Sequence, residues 1–327
     1  IGSASILMNI NSGEIISLVS LPDFDINKRK SISDKKYINR ATKGVYEFGS
    51  VFKTFTIAAG FDEKLIKPKQ MFNNLEKKIN CGGRTISEYG EDLSQNLSVE
   101  EILINSGNIG SVRIGQKLGV EKIKNFLNQI GILGNITFDI TEIGTPIPFN
   151  WGKCKLLTVS FGHGITTTLL QLAKGYAIIS NGGYDIKPTL VKGENINYGK
   201  KRRVLSKDVS LKINKILRRV VTEGTASLAD VKGYDVGGKT GTALIVENGK
   251  YTKKKINTFA SIFPSNEPRY VLIVMLEDTK LSKDYVYNYR NKPGSFVGTP
   301  FNTAGWTSVE VAAKIIEQIG PILATKY

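Results

Sequence analysis

Segments that favour β-strands lie at both ends of this chain, and segments that favour helices fill its middle. The strand-favouring runs are residues 5–8 and 15–19 near the start and 234–246, 256–263 and 269–276 near the end. Turn-forming residues join neighbouring runs, Asn11-Ser12-Gly13 in the first pair and Asn248-Gly249 in the second. Two chain ends can complete one sheet only when the middle folds as an insertion. The pattern therefore predicts an α/β (α+β) fold, with an antiparallel sheet from both chain ends covered by helices.

The intervening segments repeat apolar residues at helical spacing. These runs are residues 51–59, 165–180 and 209–221, and a further one, 308–319, closes the chain. Ser98 to Glu101 has the capping-box pattern of another helix start, and Gly60 is expected to end the first helix. We predict one domain over residues 1–327, in which residues 1–49 plus 224–327 form a sheet lobe. Residues 50–223 would form an inserted lobe that is mainly or entirely helical.

The chain carries a net charge of +16, which would normally suggest nucleic acid or an anionic surface as a partner. Its 45 basic residues are 35 Lys and only 10 Arg, whereas recognition of bases and phosphates depends on Arg. No segment alternates Arg with aromatic residues, and the basic run Lys200-Lys201-Arg202-Arg203 fits a solvated loop. We predict no nucleic-acid partner, although the positive charge would favour substrates that carry carboxylates.

Metal ligands are scarce, because the chain has one His and two Cys. His163, Cys81 and Cys154 cannot fill the four positions of a usual zinc site, so no metal is expected. The cysteines lie 73 residues apart, which fits a disulfide in an oxidising compartment and two free thiols equally well. The longest apolar stretch, residues 270–276, is too short to span a bilayer, so any targeting or anchoring segment is expected outside this sequence.

Ser50 and Lys53 are the first candidate catalytic pair. They lie one helical turn apart at the start of the run 51–59, so their side chains would share a face. A serine hydroxyl needs a nearby base, and a lysine whose pKa is lowered by burial can supply one. The helix start would also direct free backbone N–H groups at an oxyanion beside Ser50. Ser33 and Lys36 have the same spacing but no following apolar run, so Ser50 is preferred.

Ser106-Gly107-Asn108, between two helix-forming stretches, is the second candidate element. A hydroxyl in such a turn can relay a proton between a lysine and a leaving amine, and a carboxamide can bind a peptide N–H and C=O together. Ser94-Gln95-Asn96 repeats the pattern. It precedes the capping box instead of following the helix, so Ser106 is preferred.

The third element is Lys239-Thr240-Gly241-Thr242, inside a predicted strand. A Lys and two hydroxyls alternating along one strand face would make a carboxylate-binding strip, and Gly241 would let a ligand or another backbone approach closely. A plain Gly-rich edge strand is the alternative. A phosphate-binding loop is excluded, because the Gly-x4-Gly-Lys spacing is absent and a strand follows.

Ser-x-x-Lys, Ser-x-Asn and Lys-Thr-Gly, in this order, form the signature of serine acyltransferases that act on penicillins or cell-wall peptides. The sequence resembles the penicillin-binding proteins, and more closely the class B, division-type (septal) peptidoglycan transpeptidases. The resemblance covers nearly the whole chain, including Ile10 to Ile15, Phe161 to Ile165 and Glu223 to Ala226. One departure is Phe48-Gly49, where the family usually has Pro-Gly, and this could alter the loop before the nucleophile.

The resemblance implies the penicillin-binding-protein/serine β-lactamase-like fold and a role for each motif residue. Ser50 would attack a D-Ala-D-Ala stem peptide, Lys53 would accept its proton, and Ser106 would pass a proton to the leaving D-Ala. The substrate-binding residues would be Asn108, for the stem-peptide amide, and Lys239, Thr240, Gly241 and Thr242, for the terminal carboxylate. The backbone N–H groups of Ser50 and Thr242 would form the oxyanion hole.

The same resemblance implies no cofactor, and it implies peptidoglycan stem peptides, β-lactam antibiotics and membrane division-complex proteins as partners. It places the enzyme on the periplasmic face of the bacterial inner membrane, anchored by an N-terminal segment outside this sequence. A serine β-lactamase and a non-catalytic penicillin-sensing or scaffold module are the alternatives. His163 and Glu47 are expected to have structural or surface roles, since the three motifs already supply proton transfer.

Overall fold

The computed structural model describes residues 2–28, 34–90, 92–193 and 202–326, so Ser33, Lys200 and Lys201 lie outside it. The strands of this part of the chain are β1 (Gly2–Asn9), β2 (Ile15–Leu21), β3 (Val45–Tyr46), β4 (Met71–Phe72), β5 (Lys78–Cys81), β6 (Arg84–Ser87), β7 (Leu97–Ser98), β8 (Thr167–Thr168), β9 (Gly237–Glu247), β10 (Lys250–Phe263), β11 (Tyr270–Glu277), β12 (Val286–Asn288) and β13 (Ser295–Val297). The helices are α1 (Lys53–Asp62), α2 (Val99–Ile104), α3 (Asn108–Gln129), α4 (Lys153–Val159), α5 (Leu169–Ser180), α6 (Lys207–Thr222) and α7 (Ser308–Lys326).

Strands from both ends of the chain form one antiparallel sheet in the order β2-β1-β11-β10-β9. The first strand pairs with β11, with Ile6 opposite Ile273, and β10 joins β11 to β9. Both predicted hairpins are present, and the predicted sheet from the two chain ends is confirmed. This order leaves β9, which carries Lys239 to Thr242, at one edge of the sheet.

Helices cover the sheet and complete the core. The α5 helix packs on β1 and β11, and α7 packs on β10 and β11. The α5 helix starts at a capping box in which Thr168 and Gln171 bond reciprocally, and all of its residues except Lys174 are buried. A helix that is apolar on nearly every side belongs in the interior. This helix is therefore a central element of the core.

The first predicted helix has different ends in the structure. Gly49–Phe52 forms a 3₁₀ turn, and α1 itself continues from Lys53 to Asp62. The prediction that Gly60 ends this helix is wrong, because Gly60 lies within it. A Cβ at Gly60 would lie 2.6 Å from Ile66 Cδ1, so close packing explains the glycine. The helix predicted over residues 165–180 likewise begins only at Leu169, after the short strand β8.

The inserted segment is not entirely helical. It contains the short strand pairs β4–β7 and β5–β6, together with β8, which pairs with β3. Cys81, at the end of β5, forms a disulfide with Cys154 in α4, which decides between the two states that the sequence left open. A hairpin of two strands is marginally stable alone, so this disulfide helps to tie β5–β6 to the helices. The lobe boundaries at residues 49 and 224 stay a prediction.

None of the helices in the described ranges has both the length and the apolar character that crossing a bilayer requires.

Candidate active site

Ser50 is the one residue between Phe48 and Phe61 that is not buried. It lies in the 3₁₀ turn before α1, and the neighbouring Val51 and Phe52 side chains point into the core. The hydrophobic side chains hold the turn in place, while the serine stays accessible. The fold therefore presents the Ser50 hydroxyl at the surface of a rigid element.

The turn that carries Ser50 packs directly on strand β9. Gly49 has a φ of +61°, and a Cβ there would lie 2.8 Å from Thr242 O. A Cβ on Gly241 would overlap the Phe48 carbonyl, and one on Gly162 would overlap the Gly49 carbonyl. Glycine is thus required on both sides of the turn. The backbones of Ser50 and Thr242 consequently belong to adjacent segments, as an oxyanion hole formed by their N–H groups requires.

Lys53 is fully buried beside the second motif. Its ammonium donates hydrogen bonds to the backbone carbonyl of Ser106 and, at 2.6 Å, to Asn108 Oδ1. Burial lowers the pKa of Lys53 to about 7, and the negative charge of Glu88 opposes this effect. A substantial fraction of Lys53 is therefore neutral at physiological pH and able to accept a proton.

The Ser106 hydroxyl lies between two lysines. It is 3.2 Å from Lys53 Nζ and accepts a hydrogen bond of 2.9 Å from Lys239 Nζ. Ser106 has a φ of +60°, which is unusual for a residue with a side chain, in the turn that joins α2 to α3. Two ammonium groups so close to one hydroxyl repel each other, so the site favours a neutral amine at one of them. This hydroxyl is placed to relay protons.

Lys239 is fully buried, and the nearby charge of Lys53 adds to burial in lowering its pKa well below the usual value. The sequence prediction placed Lys239 and the two threonine hydroxyls on one strand face. Lys239 and Thr240 are adjacent in β9, so they leave opposite faces. The Lys239 ammonium reaches Ser106 and the Thr240 carbonyl, while the Thr240 hydroxyl shares a 2.7 Å hydrogen bond with Thr225.

The Thr242 hydroxyl is held from the sheet side. It donates to Asn257 Oδ1 at 3.0 Å and accepts from the Ala304 N–H at 3.1 Å. Asn257 is fully buried and its amide also donates to Asn302 Oδ1 at 2.6 Å. A carboxylate that used the Thr242 hydroxyl would have to exchange or share these bonds.

Asn108 is positioned by the hairpin β5–β6, which the sequence analysis did not connect with the site. Its side-chain amide donates to the Ser87 carbonyl at 2.8 Å, and its backbone N–H donates to Glu88 Oε2 at 2.6 Å. Glu88 and Thr225 are therefore site residues that sequence reasoning missed. The sequence contains only a weak signal for Glu88, because it lies 20 positions before Asn108.

Glu47 and His163 contact each other near the Ser50 turn, with Nδ1 of the histidine 3.7 Å from the carboxylate. The Glu47 carboxylate accepts from the Gly164 N–H at 2.9 Å and from the Tyr251 hydroxyl at 3.1 Å. The His163 ring stacks on Tyr251, with centroids 4.9 Å apart. Burial lowers the pKa of His163, although the charge of Glu47 opposes this. These contacts join the β9–β10 hairpin to the Ser50 turn, as a structural role predicts.

Of the two rejected candidates, Ser94 lies in the described part of the chain. Ser94 is exposed, and its hydroxyl donates to the Asn96 carbonyl within its own loop. Ser33 lies outside the described residues. Lys53, Ser106, Asn108 and Lys239 are joined by hydrogen bonds, and Ser50 lies one helical turn before Lys53, whereas the Ser94 loop makes a local turn.

The assembled side chains suit acyl transfer through a serine. Ser50 is an accessible hydroxyl, Lys53 supplies an amine of lowered pKa, and Ser106 connects this amine to Lys239. Within the described part of the chain the Lys53 amine is not hydrogen-bonded to Ser50. Catalytic hydrogen bonds are often incomplete without a ligand, so the Ser50–Lys53 contact is expected to form when substrate binds.

Known proteins are similar to this chain in sequence. The model of the penicillin binding protein transpeptidase domain family matches residues 3–293. The chain is 30% identical to the probable peptidoglycan D,D-transpeptidase FtsI of Caulobacter vibrioides, over 99% of this chain and 54% of that protein. It is 32% identical to the stage V sporulation protein D of Bacillus subtilis, over 85% of this chain and 46% of that protein. The chain thus spans about half the length of these curated relatives.

Solved structures share the fold. The apo TP domain of Burkholderia pseudomallei penicillin-binding protein 3 has a TM-score of 0.80 at 24% identity, covering 98% of this chain and 88% of that chain. A peptidoglycan glycosyltransferase from Burkholderia ambifaria has a TM-score of 0.76 at 22% identity, covering 98% and 90%. At these identities the likeness establishes the architecture, including the antiparallel sheet and its covering helices.

Proposed function

The chain belongs to the penicillin-binding protein transpeptidase family, and we propose that it is the catalytic domain of a peptidoglycan D,D-transpeptidase. The observation that carries the proposal is the meeting of three motifs at Ser106. Its hydroxyl lies 3.2 Å from Lys53 Nζ and 2.9 Å from Lys239 Nζ, and the accessible Ser50 lies one helical turn before Lys53. A lone serine beside a surface lysine would not need this buried pair of amines.

In the proposed acylation step, Ser50 Oγ bonds to the penultimate D-Ala carbonyl carbon of a stem peptide while neutral Lys53 takes the hydroxyl proton. The oxyanion that forms accepts hydrogen bonds from the backbone N–H groups of Ser50 and Thr242. When the C–N bond breaks, Ser106 donates its proton to the leaving D-Ala nitrogen and regains one from Lys53. Lys53 returns to its neutral state at the end of the step.

The acyl group then passes to the amine of a neighbouring stem peptide. The amine nitrogen bonds to the acyl carbon and the bond to Ser50 Oγ breaks, while the proton of the amine returns to Ser50 through the same side chains. Asn108 holds the stem-peptide amide in exchange for its bonds to Lys53 or Ser87. Thr240 and Thr242 leave the same face of β9 and bind the terminal carboxylate before it leaves, and the positive charge of Lys239 favours this carboxylate. A β-lactam would acylate Ser50 by the same attack and remain attached.

The biological setting forms part of the proposal. One relative is named as a probable peptidoglycan D,D-transpeptidase FtsI, and the sequence resembles the division-type transpeptidases, so the proposed role is in septal cell-wall synthesis. Such a substrate lies outside the cytoplasm, and the disulfide between Cys81 and Cys154 fits an oxidising compartment. We place the domain on the periplasmic face of the bacterial inner membrane, with division-complex proteins as partners.

Two parallel measurements test the function. Intact mass is followed over hours after addition of benzylpenicillin to the wild-type chain and to Ser50→Ala. The same two proteins are then given a D-Ala-D-Ala stem peptide and a free amine acceptor, and D-Ala release and the cross-linked product are measured. We expect a stable one-to-one adduct and a transpeptidation product in the wild type, and neither in the variant.

Each alternative predicts a different result. Rapid loss of the adduct while the drug is consumed would indicate a β-lactamase. A stable adduct without D-Ala release or cross-linking would indicate a penicillin sensor. An adduct that persists in Ser50→Ala would overturn the assignment of the nucleophile.

A further inference from the structure

Glu88 lies at the end of the hairpin β5–β6, directly against the start of α3. Its two carboxylate oxygens accept hydrogen bonds from the first two backbone N–H groups of that helix, those of Asn108 at 2.6 Å and of Ile109 at 2.8 Å. The residue at the N-cap position is Gly107, which has no side chain to provide a cap. Glu88 thus supplies from another element the cap that the helix's own sequence lacks.

The capped helix start is also a catalytic motif. Asn108 is both the first residue of α3 and the last residue of Ser106-Gly107-Asn108. Its side chain donates to the Ser87 carbonyl at 2.8 Å, so the same hairpin fixes its backbone and its amide. This orientation turns Asn108 Oδ1 toward Lys53 Nζ, at 2.6 Å.

The Ser106 backbone needs such support. Its φ of +60° is costly for a residue with a side chain and persists only where the surroundings enforce it. The bonds on its N-terminal side run from the Ser106 and Gly107 N–H groups to the end of α2. Glu88 provides the corresponding bonds on the C-terminal side.

We propose that Glu88 is a positioning residue for acylation, which acts through the Ser106–Asn108 turn and through the buried Lys53. The inference rests on the proposed acylation of Ser50. The hairpin is joined to α4 by the Cys81–Cys154 disulfide, so the carboxylate is delivered from a braced element.

The charge of Glu88 adds a measurable effect. In the described part of the chain, the charge that acts on the pKa of Lys53 is that of Glu88, and Lys53 in turn lowers the pKa of Lys239 in β9. Lys239 interacts with the same Ser106 hydroxyl, and Tyr176 of α5 meets α1 at Thr54, one residue further along. Because Glu88 opposes the effect of burial, removing its charge will lower the pKa of Lys53 further.

The test is the second-order rate of acylation by benzylpenicillin between pH 5.5 and 9 in the wild type, Glu88→Gln and Glu88→Asp. Glu121→Gln, an exposed site in α3 just after the kink at Gly119, is the control for loss of one charge. In Glu88→Gln we expect the maximal acylation rate at high pH, the plateau of the pH–rate profile, to fall about five- to tenfold through loss of the cap. The acid limb of the profile, where the rate falls as Lys53 becomes protonated, should move to lower pH. Glu88→Asp keeps the charge, so the acid limb of its pH–rate profile stays at the wild-type pH. Its plateau acylation rate should lie between those of Glu88→Gln and the wild type.

Several results would overturn the proposal. One is an unchanged plateau and limb in Glu88→Gln. Another is a lower plateau with an unmoved limb, which would mean support of the fold alone, and a third is an equal effect of Glu121→Gln. If the wild type itself is not acylated, the proposed function fails first, and the two failures are thus distinguished.

Discussion

Two sides of the site are built differently, although both contact Lys53 or the Ser50 turn. The strand side consists of Lys239–Thr242 in β9, where a sheet ladder and the contact of Gly241 with the Phe48 carbonyl fix the backbone. The turn side consists of Ser106–Asn108 and the hairpin β5–β6, where side-chain hydrogen bonds and a disulfide fix the backbone. The strand side depends on the absence of side chains, and the turn side depends on their presence.

The difference has a physical consequence. A backbone ladder holds each residue through neighbours on the same sheet, so loss of one side chain from the strand side moves little, whereas a side chain added at Gly241 would meet the Phe48 carbonyl. The turn side includes a residue at positive φ and a half-exposed carboxylate, so its geometry depends on a few individual bonds. We therefore expect the strand side to tolerate loss of a side chain but not a side chain added at Gly241. The turn side should lose part of its geometry with each bond that is removed.

Lys53→Ala removes the amine that the two sides position, and it should have the largest effect on the acylation rate. Loss of a general base typically costs about 100- to 10,000-fold, so the acylation rate should fall in this range while reversible binding of the ligand changes little. Stopped-flow acylation separates the two quantities. Equal losses in both would contradict a proton-transfer role for Lys53.

Gly241→Ala tests the strand side. The added methyl group would overlap the Phe48 carbonyl and separate the Ser50 turn from Thr242, so acylation should fall about 100-fold or more through loss of the oxyanion hole. Gly90→Ala is the matched control, because no atom lies within 4 Å of a Cβ there. Equal rates in the two variants would show that the backbone contact is not required.

The pH dependence of the acylation rate tests Lys53, the residue that connects the two sides. Lys53 must be neutral to accept a proton and its pKa is lowered to about 7, so the acylation rate rises with pH through that value. Between pH 8 and pH 6 the rate should fall about tenfold. A rate that stays constant down to pH 6 would exclude Lys53 as the base.

Opening the disulfide tests the turn side and should have the smallest effect. In Cys81→Ser the hairpin keeps the Glu88 bonds but loses its covalent link to α4, so we expect a less than tenfold loss of acylation rate. Reduction of the wild type should reproduce this loss. A loss as large as that of Gly241→Ala would mean that the two sides are equally sensitive.

Much of the fold was accessible from the sequence because its signals are local. Turn residues such as Asn248-Gly249 predict their hairpin, and the alternation of strand and helix patterns predicts a sheet from both chain ends. The three motifs could be recognised because each is only a few residues long. Their meeting place was implied by the resemblance, not by local physics.

The remaining details depend on tertiary contacts. Counting from the Asn248-Gly249 turn would place Lys255 opposite Thr242, but a bulge between Tyr251 and Lys255 shifts the pairing and brings Asn257 there. The role of Glu88 likewise depends on where a disulfide-linked hairpin comes to rest. Gly60 was misread because local rules describe helix ends, whereas this glycine is explained by packing against Ile66.

The most direct measurement is peptide mapping of the benzylpenicillin adduct after trypsin digestion. Cleavage after Lys43 and Lys53 isolates residues 44–53, which contain Ser50 as their only serine. We predict that the whole adduct mass is found on this peptide and that fragmentation assigns it to Ser50. An adduct on residues 31–35, which hold Ser33, or on residues 85–113, which hold Ser94 and Ser106, would contradict the central claim.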